Sequence, residues 1–153
     1  MDRFDCRLLG LLQQDASRSN ADLATEIGLS SSQISRRRVR LEQSGVIERY
    51  IAKVSAPAVG LQMDVFIRVT LTAHSADTAS EFSRFLSTLP ELRSAYSLTG
   101  DADYLLHAKV RDLASLSELV SQQLLPHKNV REVRSEIALQ TIVEDSPLPI
   151  VAG

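Results

Sequence analysis

Residues 20–53 carry a run of helix starts and stops that few folds can accommodate. Asn20 or Ser19 can cap a short helix, because either side chain accepts hydrogen bonds from free N–H groups at a helix start. Leu23, Ala24 and Ile27 then repeat at helical spacing and form one apolar face. Gly28 can end that helix in a left-handed conformation. Leu29 fills the corner that follows. Ser30 with Gln33 forms an S-x-x-Q capping box that starts a second helix, with Ile34 and Leu41 on its buried stripe and Gly45 at its end. The stretch Val46-Ile47-Glu48-Arg49-Tyr50-Ile51 is β-branched and partly alternating, which reads as a strand and wing. Ahead of all this, Phe4, Leu8, Leu11 and Leu12 repeat at helical spacing behind Asp2, a fitting cap. Three helices and a wing make a winged helix-turn-helix.

Charge separates this segment from the rest. From Ser30 to Lys53 the basic residues are Arg36, Arg37, Arg38, Arg40, Arg49 and Lys53, and the acidic ones are Glu42 and Glu48. The segment is therefore +4 in a chain of net charge −2, and the remainder carries −6. Cations gathered on one element of an otherwise acidic protein are the footprint of phosphate contact. An arginine-rich helix alone fits an ordinary solvated surface equally well. The punctuation before it and the wing after it favour DNA. Ser31, Ser32, Gln33 and Ser35 start the helix and are short enough to reach base edges. Arg36, Arg37 and Arg40 are candidates for phosphate or guanine contact.

Composition removes several other classes. Tryptophan is absent and aromatics make up 5%, which leaves little for a base-stacking RNA platform. No apolar run approaches the roughly twenty residues of a membrane span. The charged N-terminus leads straight into the first helix, so no signal peptide is expected. Cys6 is the single cysteine; it allows no internal disulfide and no cysteine-based zinc cluster, which suits a reducing cytoplasm. His74, His107 and His127 are scattered, without paired carboxylates, metal-ligand spacing or a nucleophile signature. The chain reads as a non-enzyme with no catalytic residue, no metal and no cofactor.

After Ser55-Ala56-Pro57-Ala58-Val59-Gly60, a linker by its proline and glycine, the pattern changes. From Gln62 to Thr72 the odd positions are Met63, Val65, Ile67, Val69 and Leu71, and the even positions are mostly polar. Strict period two marks a half-buried strand. A helix is predicted over 76–88, with Ala79, Phe82, Phe85, Leu86 and Leu89 inward and Pro90 beyond it. Strands over 92–98 and 104–110 flank the turn at Gly100-Asp101. Asp112 caps a second helix, with Leu113, Leu116, Leu119, Val120 and Leu124 inward. A last strand runs from Val130 to about Val143. The order β-α-β-β-α-β gives a four-stranded antiparallel sheet with both helices on one face, the ferredoxin-like arrangement. The other face, carrying Phe66, needs a partner; a homodimer packed sheet on sheet is the simplest solution.

The whole pattern resembles the Lrp/AsnC (feast/famine) transcriptional regulators. The matching segments are Asp2-x-x-Asp5-x-x-x-Leu9, Asn20-x-x-Leu23-Ala24, Gly28-Leu29-Ser30, Arg37-x-x-x-Leu41-Glu42-x-x-Gly45-Val46-Ile47, and Leu98-Thr99-Gly100-Asp101-x-Asp103-Tyr104-Leu105-Leu106. The resemblance implies an α+β chain: a winged helix-turn-helix at 1–54, a hinge at 55–61, a ferredoxin-like (RAM-type) effector-binding and oligomerisation domain at 62–145, and a tail at 146–153. It implies a cytoplasmic, sequence-specific regulator of double-stranded DNA, a homodimer assembling to an octamer, and a small-molecule effector such as an amino acid. An effector-independent architectural DNA binder of the same fold is the alternative. The effector site would use Thr99, Gly100, Asp101 and Asp103 of the hairpin turn, with Glu136, Ile137 and Ala138 approaching from a neighbouring dimer. Backbone N–H groups of a glycine turn can hold a carboxylate, and an aspartate can accept from an α-ammonium; Gly-Asp is also ordinary hairpin chemistry. Two positions depart from the family pattern. Arg38 stands where an apolar residue is common, so either Val39 takes over its packing or Arg38 extends outward along the motif. Glu136 stands where an apolar or aromatic residue is frequent, which fits either a cationic effector or a solvated strand glutamate.

Overall fold

The computed structural model describes residues 1–151, and the chain divides into two compact units. One holds Met1–Lys53 together with the segment from Ile142; the other is Val54–Thr141.

The first unit is built from three helices. Asp2 caps α1 (Arg3–Gln14) through a capping box with Asp5. Ser19 caps α2 (Asn20–Ile27), whose end at Gly28 takes the left-handed φ of 82° that a C-cap requires. Ser30 and Gln33 form the capping box of α3 (Ser31–Gln43). Their apolar stripes meet in a small core of Leu8, Leu9, Leu12, Leu23, Ala24, Ile27, Ile34 and Leu41. Leu29 packs beside it, as the corner position required, and so does Ile150 from the tail. The tail is thus part of this unit instead of a free extension. Leu148 N–H donates to Gln13 Oε1 at 2.7 Å, and Gln13 Nε2 donates to Leu148 O at 3.2 Å. The wing strand predicted over 46–51 does not form. Those residues meet no second strand, and Ile47 N–H turns back to Leu41 O at 3.0 Å; a strand without a ladder leaves its N–H and C=O groups to solvent.

The second unit opens with a 3₁₀ turn at Pro57–Val59, closed by Gly60 at φ 85°. Four strands follow, β1 (Met63–Leu71), β2 (Leu92–Ser97), β3 (Tyr104–Val110) and β4 (Val130–Ile137), in the antiparallel order β2-β3-β1-β4. The helices are α4 (Ala76–Leu86) and α5 (Leu113–Glu118), the latter running on as a π-helical segment Leu119–Leu124. Val65, Ile67, Val69 and Leu71 of β1 are buried against Phe82, Leu86, Leu106, Leu116, Leu119 and Leu124, as period two demands, and Met63 packs partly buried beside them. This is the predicted β-α-β-β-α-β arrangement, with three local differences. Leu113, expected inward, is 65% exposed, because it is the first residue of α5 and precedes the buried stripe. The π spacing of five brings Leu119 and Leu124 to the same core. β4 stops at Ile137, short of Val143, because its ladder with β1 ends where Val65 pairs with Ile137.

Candidate nucleic-acid interface and effector turn

The face of α3 turned to solvent is set by helical spacing. Ile34 and Leu41 point into the core. Positions three and four apart on the opposite side then carry Ser32, Ser35, Arg36, Val39 and Gln43, all exposed. Ser31 and Arg40 flank this face and are exposed too. Val39 is 45% exposed at its centre. Of the two alternatives for this part of the helix, packing by Val39 is therefore not the one adopted; the positions of Ile34 and Leu41 place Val39 outward. Gln33 serves the capping box: its Oε1 accepts the Ser30 N–H at 2.8 Å.

The four arginines differ. Arg37 Nη1 lies 2.7 Å from Asp2 Oδ2 and 2.7 Å from Asp5 Oδ1. Arg40 Nη2 is 2.8 Å from both oxygens of Asp5. Arg38 donates to Asn20 Oδ1 at 3.0 Å and to the Tyr50 hydroxyl at 3.3 Å, with its guanidinium 5.0 Å over the Tyr50 ring. Arg38 thus extends outward, half-buried, and Val39 does not replace it in the core. Arg36 has no hydrogen-bond or ion-pair partner among the described residues. Asp5 is 2% exposed. Burial pushes its carboxyl up, but the Asp2 N–H and the Arg37 and Arg40 guanidinium groups outweigh that and hold it below its ordinary value. The Asp5 N–H and Arg37 likewise lower Asp2.

The hairpin turn between β2 and β3 places Thr99, Gly100 and Asp101 at the surface. Asp103 turns inward. Its N–H donates to Val69 O at 3.0 Å, and Leu98 N–H donates to its carbonyl at 2.8 Å. Its carboxylate accepts the Leu71 N–H. Glu136 is exposed and faces Arg68 Nε at 3.2 Å; Ile137 is exposed, and Ala138 N–H donates to Asp64 O at 2.9 Å. The turn is tied to the Leu71 end of β1, whereas Ile137 pairs with Val65. Six strand residues separate the two places, about 20 Å. Within one chain the two halves of the expected effector site do not meet.

The sheet face away from the helices is mixed in character. Phe66 is 38% exposed and stacks on the His107 ring at 4.9 Å, and Tyr96 is 58% exposed. Asp64 bridges His107 Nε2 at 2.7 Å and Lys109 Nζ at 2.8 Å. The other two histidines also have structural partners. His127 packs on the rings of Phe82 and Phe85, and His74 lies near Asp103. No group of three potential metal ligands occurs among the described residues, and no described helix is long and apolar enough to cross a membrane.

Two family models match. Residues 1–42 fit an AsnC-type helix-turn-helix domain, and residues 64–148 fit an Lrp/AsnC ligand binding domain. The Bkd operon transcriptional regulator of Pseudomonas aeruginosa is 32% identical over 150 residues, covering 98% of each chain. The leucine-responsive regulatory protein of Escherichia coli is 29% identical over 98% of this chain and 92% of its own. A transcriptional regulator of Neisseria meningitidis, solved as a complex with L-methionine, superposes with a TM-score of 0.93 at 33% identity, covering 97% of this chain and 96% of that one. An AsnC family regulator of Agrobacterium tumefaciens gives 0.92 at 34% identity, covering 97% of both.

Proposed function

We propose, from the premise that this chain belongs to the Lrp/AsnC family of transcriptional regulators, that it reads duplex DNA with the outer face of α3 and answers to an amino acid. The observation that carries the DNA reading is that face. Ser31, Ser32, Ser35 and Arg36 stand exposed on a helix whose other side is fixed by the core. Short hydroxyls and a free guanidinium suit base edges and phosphates in a major groove. Val39 adds an apolar contact suited to a thymine methyl.

The effector reading rests on the exposed Thr99-Gly100-Asp101 turn and on the L-methionine bound by the Neisseria relative. Because Glu136, Ile137 and Ala138 lie far from the turn in the same chain, a complete site needs a second copy. The exposed Phe66 and Tyr96 on the open sheet face support a homodimer, and an octamer would bring turn and strand together between dimers. A reducing cytoplasm fits a DNA-binding regulator with one free cysteine.

The test is a selection of DNA sequences from a random duplex pool, followed by thermal shift and sizing with each of the twenty amino acids. Enrichment of a two-fold-related motif, with one amino acid shifting the melt, supports the reading. A motif with no amino acid response supports the effector-independent DNA binder instead. A pool that never enriches removes the sequence-specific reading.

A further inference from the structure

Resting on the DNA-binding reading, we propose that Asp5 is a specificity-determining residue that acts through the arginines of α3. It is placed one helix away from the base-reading face, yet it controls how much positive charge that helix offers to any phosphate.

The geometry is unusual for a surface ion pair. Asp5 is 2% exposed, and its carboxylate takes the Asp2 N–H at 3.0 Å, Arg37 Nη1 at 2.7 Å and Arg40 Nη2 at 2.8 Å. Asp2 adds a second carboxylate to Arg37 at 2.7 Å. Arg37 is itself largely covered, with 20% of its side chain exposed. The Asp5–Arg37 pair is covered enough for its charges to be weakly screened, so it persists at salt concentrations that dissolve exposed bridges; Arg40, with 60% of its side chain exposed, is held to the same carboxylate by a more screened bridge.

Non-specific DNA affinity scales with the number of phosphates a protein neutralises. Four arginines on one helix would bind every duplex in a genome. With Arg37 and Arg40 held by Asp5, and Arg38 by Asn20 and Tyr50, only Arg36 of the four is left without a partner among the described residues. The base-reading face then carries a larger share of the binding, and the ratio of specific to random affinity rises.

The experiment uses the full chain and measures affinity for a random-sequence duplex across a salt series. Asp5→Asn keeps the volume and the acceptor for Asp2 N–H but removes the charge that holds Arg40 and leaves Arg37 with the Asp2 carboxylate alone. Its random-duplex affinity should rise several-fold at low salt, and its slope against log salt should steepen by about 0.9 for each arginine released. Adding Arg37→Gln to Asp5→Asn should reverse part of that rise. Because a buried charge change can unfold a small unit, Asp2→Asn is the second variant. Asparagine caps a helix as well as aspartate, so the fold is kept, and a smaller rise in the same direction is expected. Unchanged slopes in folded Asp5→Asn and Asp2→Asn proteins overturn the proposal and leave the DNA reading intact. Failure of the wild type to bind any duplex at low salt overturns both.

Discussion

Asp103 accepts the backbone N–H of Leu71 at 2.7 Å, across the end of β1. His74 Nδ1 lies 3.1 Å from the second carboxylate oxygen, and the Asp103 N–H reaches Val69 O. The residue that the sequence offers as an effector acceptor is therefore also the tie that seats the β2–β3 turn on the sheet. A carboxylate bonded to a backbone N–H is held in one orientation, which preorganises the turn around it.

Asp103→Ala should then lower stability as well as any ligand response. It leaves the Leu71 N–H without its partner, a loss of about 1–3 kcal/mol. Chemical unfolding of the variant should show it. A variant as stable as the wild type would free Asp103 from the structural role.

Asp101→Ala should behave differently. Asp101 is exposed and has no hydrogen-bond or ion-pair partner among the described residues. Its removal should change stability by under about 0.5 kcal/mol while abolishing the amino-acid-induced thermal shift. Calorimetry that finds equal amino acid binding in wild type and variant removes Asp101 from the site.

Tyr50 ties the segment after α3 back to the helix. Its hydroxyl donates to Glu42 Oε1 at 2.8 Å, and its ring lies under Arg38. Tyr50→Phe keeps the ring and should cost about 1 kcal/mol. Tyr50→Ala also loses the cation–π contact and should cost about 1 kcal/mol more. A double-mutant cycle with Arg38→Ala measures the coupling directly; additive effects would show that the two side chains act independently.

Acid should loosen the helical unit through Asp2 and Asp5. Both carboxyls are held below their ordinary value in the folded state. Such groups stabilise the fold above the unfolded value of about 3.9, and the contribution is lost as pH falls through the lower folded value. Melts of the wild type should therefore drop steeply below about pH 4, and Asp5→Asn should flatten that drop. Identical pH profiles would exclude Asp5 as the titrating group.

The tail should contribute to the same unit. Ile150 packs on the helical core, and Gln13 and Leu148 exchange two hydrogen bonds. Ile150→Asp should destabilise this unit by about 1–2 kcal/mol through lost apolar burial. Hydrogen exchange in α1 would report it, and unchanged protection of α1 would show the tail to be dispensable.

Elements whose stabilising groups lie close along the chain were legible from the residues alone. Asp2, Ser19, Ser30 and Asp112 cap their helices, Gly28 ends α2, and β1 alternates as its residues require, because each of these bonds or contacts spans a few residues. The β-α-β-β-α-β order and the family followed from the same local signals. Other features depend on partners far apart in the chain. Arg37 and Asp5 are 32 residues apart, and Gln13 and Leu148 are 135 apart. An arginine's local sequence cannot say whether its guanidinium will meet a phosphate or a buried carboxylate, since its long side chain reaches either. The same holds for Asp103, for Arg38 on Asn20 and Tyr50, and for where β4 stops. In each case the deciding group lies on another element, and only packing brings it within bonding distance.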